Sequence, residues 1–108
     1  MPRRATPPAL LIVDDDPLIA DGLSFALADD FDIRVENSRA AAMTLLRSGV
    51  FAPVLALIDL GLPPVPDQPT EGFKLVSDLL AWSSEIKIFV LSGQNEVSNA
   101  RRARALLR

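Results

Sequence analysis

Three short apolar runs constrain this chain more than any other feature: Ala9 to Val13, Val54 to Ile58, and Ile86 to Leu91 with Lys87 as its one interruption. A run this short without alternation has no solvent face, so it reads as a strand covered on both sides, as in a parallel sheet. Parallel neighbours need crossover connections, and helices usually supply them. Segments with helical spacing do lie between the runs. Asp16 is suited to cap a helix beginning at Pro17, where proline's fixed φ fits the first turn. That helix is expected to reach about Ala28 and to bury Ile19, Leu23, Ala26 and Leu27 on one face. Phe31, Ile33 and Val35 alternate with Asp32, Arg34 and Glu36, which predicts a half-exposed strand at a sheet edge. Ser38 can cap a second helix through Arg47, with Gly49 at its C-terminal stop and Leu45 and Leu46 facing the core. Glu71 to Trp82 repeats Leu75, Val76, Leu79 and Leu80 at helical spacing, and a last helix is expected from about Asn95 to Arg108. The order βαβαβαβα predicts an α/β domain with a doubly wound, mostly parallel sheet.

In such sheets, sites form outside the carboxyl ends of the strands, where the strand order reverses. The first run ends in Asp14 and Asp15, the run from Val54 ends in Asp59, and the run from Ile86 ends in Ser92. Taken singly, each has an ordinary reading. Asp16 is a helix cap, Asp14 a turn residue, Asp59 a loop-starting Asp, and Ser92 before Gly93 a turn. A cap does not explain two further carboxylates directly after a buried strand. Together, three carboxylates from two strands should meet at one sheet edge, where they repel one another unless a cation joins them. A hard ion such as Mg²⁺ suits carboxylate oxygens, and a carboxylate can act as a nucleophile toward phosphorus.

Composition narrows the chemistry. The 108 residues are one domain's worth, and 49% are hydrophobic, enough for a core. With no Cys and no His, disulfides, thiolate or imidazole catalysis and zinc sites are excluded. A net charge of −3 gives no sign of direct nucleic-acid binding, and no apolar run is long enough to cross a membrane. Residues 1–8, with Pro2, Pro7 and Pro8, read as a disordered lead-in without a signal-peptide core. Residues 9–108 form the domain, and a cytoplasmic location is the default expectation.

The same residues carry a family resemblance. Leu10-Leu11-Ile12-Val13-Asp14-Asp15-Asp16-Pro17 resembles the first strand and acidic pair of response-regulator receiver domains. Ala56-Leu57-Ile58-Asp59-Leu60-Gly61-Leu62-Pro63 is similar to their phosphoacceptor strand, and Phe89-Val90-Leu91-Ser92-Gly93 to the strand bearing their Ser/Thr switch. The resemblance implies a flavodoxin-like strand order 2-1-3-4-5. It implies that Asp59 is phosphorylated by a histidine kinase or phosphotransfer protein. Asp15 would then ligate Mg²⁺ directly, Asp14 through water, and the Gly61 carbonyl would complete the protein ligands. Ser92 would hydrogen-bond the phosphoryl group. Such a domain is modified once and is not an enzyme with turnover; an output domain would lie beyond Arg108.

Two departures stand out. The loop from Pro63 to Gly72 is longer than usual and proline-rich. The family's fifth strand, with a Lys that pairs with the phosphoryl group, and its fifth helix have no counterpart before Arg108, so the receiver reads as C-terminally truncated. Lys74 and Lys87 fall on a helix and within a strand, where neither can substitute. A missing fifth strand would bare the edge of Ile86 to Leu91 and favour self-association. The alternatives are a degenerate receiver acting as a phosphorylation-independent interaction module, and a metal-dependent phosphohydrolase. The second needs an acid just after the nucleophile, where Leu60 and Gly61 stand. Arg101, Arg102, Arg104 and Arg108 read as a solvated face.

Overall fold

A computed structural model describes residues 6–65 and 68–91. The elements are β1 (Ala9–Val13), α1 (Pro17–Leu27), β2 (Asp32–Glu36), α2 (Arg39–Arg47), β3 (Leu55–Asp59), α3 (Thr70–Trp82) and β4 (Lys87–Leu91). All strand pairings are parallel, in the order β2-β1-β3-β4. This is the doubly wound arrangement expected from the alternation of apolar runs and helical segments. The last helix and Ser92 lie outside the described residues, and no fifth strand is seen among the described ones.

Local chemistry sets the helix ends. The Asp16 side chain accepts from the Leu18 N–H at 3.0 Å, which caps α1 with Pro17 in its first turn. Ser38 Oγ accepts from the Ala41 N–H at 3.1 Å and caps α2. Gly49, just beyond α2, has φ of +76°, a conformation that costs a glycine little.

The core lies between one sheet face and helices α2 and α3. Leu11, Val13, Ala56 and Ile58 of the sheet pack with Ala42, Leu46, Leu75 and Leu79, and Phe51 and Leu62 belong to the same cluster. Leu10 and Ile12, on the other side of β1, are also fully buried, so β1 is covered on both faces as its unbroken apolar run requires. Arg39 ties α2 to α3, bonding Asp78 at 2.7 Å and reaching Glu71 at 3.7 Å.

Three expectations are corrected. On α1 the buried residue is Ala20, whereas Ile19 is 41% exposed and Ala26 is exposed. Apolar residues surround this helix, so spacing alone offered more than one face. On α3, Leu75, Val76 and Leu79 are buried, but Leu80 sits on the helix shoulder, 46% exposed. It borders a groove of about 250 Å³ with Val76, Ile86, Ile88 and Phe89. Finally, β4 is not covered on both faces, since Phe89 is 51% exposed, whereas its place at the sheet edge among the described residues is the one expected where no fifth strand follows.

Candidate functional site

The register of the sheet assembles the acidic residues. Val13 pairs with Ile58, so the residues that follow them, Asp14 and Asp59, leave adjacent strands side by side. Oxygens of Asp14, Asp15 and Asp59 all lie within 4.8 Å of one another. Asp14 and Asp59 are 4% and 5% exposed, the two buried charged side chains among the described residues. Asp15 is half-buried.

Backbone donors hold two of the three. Asp14 Oδ1 accepts from the Asp16 N–H at 2.9 Å, and the Asp14 N–H donates to the Glu36 carbonyl at 3.1 Å. Asp59 Oδ1 accepts from the Gly61 N–H at 3.2 Å. Gly61 sits in a buried turn, Leu60 to Leu62, where the Leu60 carbonyl accepts from the N–H groups of both Leu62 and Gly72. A cavity of about 270 Å³ opens beside the acidic pair, between Pro17 and Ala20 of α1 and Val35 and Glu36 of β2.

These surroundings raise the carboxyl pKa values. Burial pushes Asp59 up from 3.8 to about 6; the Gly61 N–H opposes this, and the charges of Asp14 and Asp15 add to it. Burial also raises Asp14, opposed by the hydrogen bond from Asp16 and reinforced by Asp15. Three oxygen donors gathered in a partly dry pocket, with two of them destabilised as anions, form a donor set that fits a hard divalent cation.

The structure therefore brings together Asp14, Asp15 and Asp59, with Gly61 beside them. Asp16 stands apart as the helix cap. Ser92 lies outside the described residues, but its chain neighbour Leu91 pairs with Asp59, and the Leu91 carbonyl accepts from the Leu60 N–H at 3.4 Å. Lys87 begins β4, four residues from the site end; at about 3.3 Å per residue it stands roughly 13 Å away. Lys74 pairs with Glu71 at 3.6 Å on α3. Neither lysine serves the acidic site. Sequence reasoning missed Gly72, whose backbone touches the Leu60 turn. Its one signal was a glycine inside the first turn of a helix.

Comparison with known proteins agrees with this geometry. No curated protein sequence is significantly similar to the chain. Solved structures superpose well at low identity. The Francisella response regulator 1452 receiver domain is 20% identical, with 92% of this chain and 77% of that chain covered and a TM-score of 0.70. The receiver domain of HemR from Leptospira biflexa is 24% identical, with coverage of 92% and 75% and a TM-score of 0.70. NtrX from Brucella abortus, solved in complex with ADP, is 22% identical with a TM-score of 0.77; the match covers 94% of this chain but 22% of NtrX. The family model for the response regulator receiver domain matches residues 10–106, nearly the whole chain, and this chain belongs to that family.

Proposed function

We propose that this receiver domain accepts a phosphoryl group on Asp59 from a histidine kinase or a phosphotransfer protein. The observation that carries the proposal is the meeting of Asp14, Asp15 and Asp59 within 4.8 Å at the carboxyl end of the central strands. Asp59 Oδ attacks phosphorus, the P–N bond of the phosphohistidine breaks, and the imidazole leaves with the electron pair and takes up a proton. An acyl phosphate results. With a pKa near 6, Asp59 is mostly the required carboxylate at neutral pH even before a cation binds. Mg²⁺ would be held by Asp15 and Asp59, by Asp14 through water, and by the Gly61 carbonyl; when bound it would offset the phosphoryl charge. Ser92 is assigned the phosphoryl hydrogen bond by family resemblance.

The domain is modified once per signal and has no catalytic turnover of its own. An output region, in the same polypeptide or in a partner, reads the modified state. A cytoplasmic location belongs to the same proposal; among the described residues no helix is long and apolar enough to cross a membrane. Incubation with acetyl phosphate and Mg²⁺ should add one phosphoryl mass to the intact protein, and Asp59→Asn should abolish it. An adduct that persists in the variant would overturn the assignment. No adduct on the wild type, from acetyl phosphate or a kinase, would favour a phosphorylation-independent interaction module.

A further inference from the structure

The acidic site rests on a close contact that none of its own residues makes. Gly72 lies in the first turn of α3 and is buried. A Cβ placed on it would stand 2.6 Å from the Leu60 carbonyl oxygen and 2.8 Å from its carbonyl carbon, and nearer still to the Leu60 Cα. All three atoms are backbone, so no change of rotamer can relieve the clash. The Gly72 N–H donates to that same carbonyl at 3.1 Å. Both partners are anchored. Leu75 and Leu79 fix α3 in the core, each fully buried, and Leu60 and Leu62 are buried on either side of Gly61. Gly61 in turn donates its N–H to Asp59 Oδ1.

We propose that Gly72 is a positioning residue for the phosphoacceptor site: its bare Cα sets the height of the Leu60-Gly61-Leu62 turn, and with it the Gly61 backbone that faces Asp59. The metal-binding part of this inference rests on the function proposed above, whereas the placement of the turn does not. A side chain at position 72 pushes the turn away from α3. The Gly61 N–H then lengthens or loses its bond to Asp59, and the Gly61 carbonyl moves from the place where a cation would meet it. Displacing a group that supports a metal ligand typically lowers affinity by about 10-fold to 100-fold.

The test compares wild type, Gly72→Ala and Leu46→Ala by amide NMR, first without metal and then through a Mg²⁺ titration. Leu46→Ala removes a buried side chain of the same core from α2, away from the α3 contact, and controls for lost stability alone. In the metal-free protein, Gly72→Ala should shift the Gly61 and Leu62 amide resonances and speed their hydrogen exchange well beyond the change in Leu46→Ala. It should also weaken Mg²⁺ binding by about tenfold, with Leu46→Ala close to wild type. Gly61 and Leu62 resonances that stay in place in Gly72→Ala would overturn the inference whatever the metal does. Displaced resonances with unchanged Mg²⁺ affinity would overturn the positioning role at the site. If wild type itself shows no Mg²⁺ response, the proposed function falls, and the metal-free shifts alone decide whether Gly72 sets the turn.

Discussion

Replacing Asp59 with Asn should stabilise the metal-free protein at neutral pH. The reason is the cost of keeping an ionised Asp59 in its pocket. Burial, opposed by the Gly61 N–H and reinforced by the charges of Asp14 and Asp15, raises its pKa from 3.8 to about 6. Below 3.8 the carboxyl is protonated in both folded and unfolded chains, and no difference arises. Between 3.8 and about 6 the folded state holds a proton that the unfolded state has released. Stability therefore falls as pH rises through this window, and the loss is complete above it. A shift of about two pKa units corresponds to roughly 3 kcal/mol. Because Asp14 shares the strain, about 2 kcal/mol is the expected gain from Asp59→Asn, or roughly 10 °C in Tm for a domain of this size. The Asn oxygen can keep the hydrogen bond from Gly61. Urea denaturation followed by Trp82 fluorescence, in chelator, from pH 4 to 7.5, gives the difference between variant and wild type. That difference should grow between pH 4 and 6, level off above, and shrink when excess Mg²⁺ replaces the chelator. A difference that is flat with pH, or a variant less stable than wild type at pH 7 in chelator, would refute the reasoning.

Two further outcomes follow from single contacts. Mg²⁺ added to wild type should perturb amide resonances around Asp14, Asp15 and Asp59, and Asp15→Ala should abolish the response; a response that survives would remove Asp15 from the ligand set. Arg39→Ala breaks the partly exposed links to Asp78 and Glu71 between α2 and α3 and should cost about 0.5–1 kcal/mol. That cost should diminish at high salt, and a salt-independent loss would point instead to packing of the Arg39 stem.

The parts of the fold that were legible in the sequence are those where one physical requirement leaves one arrangement. An unbroken run such as Leu10 to Val13 must be covered on both faces, and it is. Alternation from Asp32 to Glu36 marks a strand wet on one side, and β2 is an edge. Asp14, Asp15 and Asp59 were readable because parallel strands in register deliver their carboxyl ends to one place. The illegible parts are those where several arrangements satisfy the same pattern. Apolar residues on all sides of α1 did not say that Ala20, rather than Ile19, meets the sheet. The shoulder position of Leu80 depends on how α3 is rolled against β3 and β4, which spacing does not encode. Gly72 was silent because its role is a missing atom opposite a distant backbone, and such a contact exists only once the chain has folded.

Locating the phosphoryl group itself tests the central claim most directly. Trypsin should release residues 48–74 as one peptide holding Asp59, and residues 5–34 as another holding Asp14, Asp15 and Asp16. After reaction with acetyl phosphate and Mg²⁺, borohydride reduction converts an aspartyl phosphate to homoserine and leaves a stable mark for sequencing. If Asp59 is the nucleophile, homoserine appears at position 59 of the 48–74 peptide, and the acidic pair on the 5–34 peptide stays unmodified. Homoserine at Asp14 or Asp15, or at Asp67 in the proline-rich loop, with Asp59 intact, would contradict it.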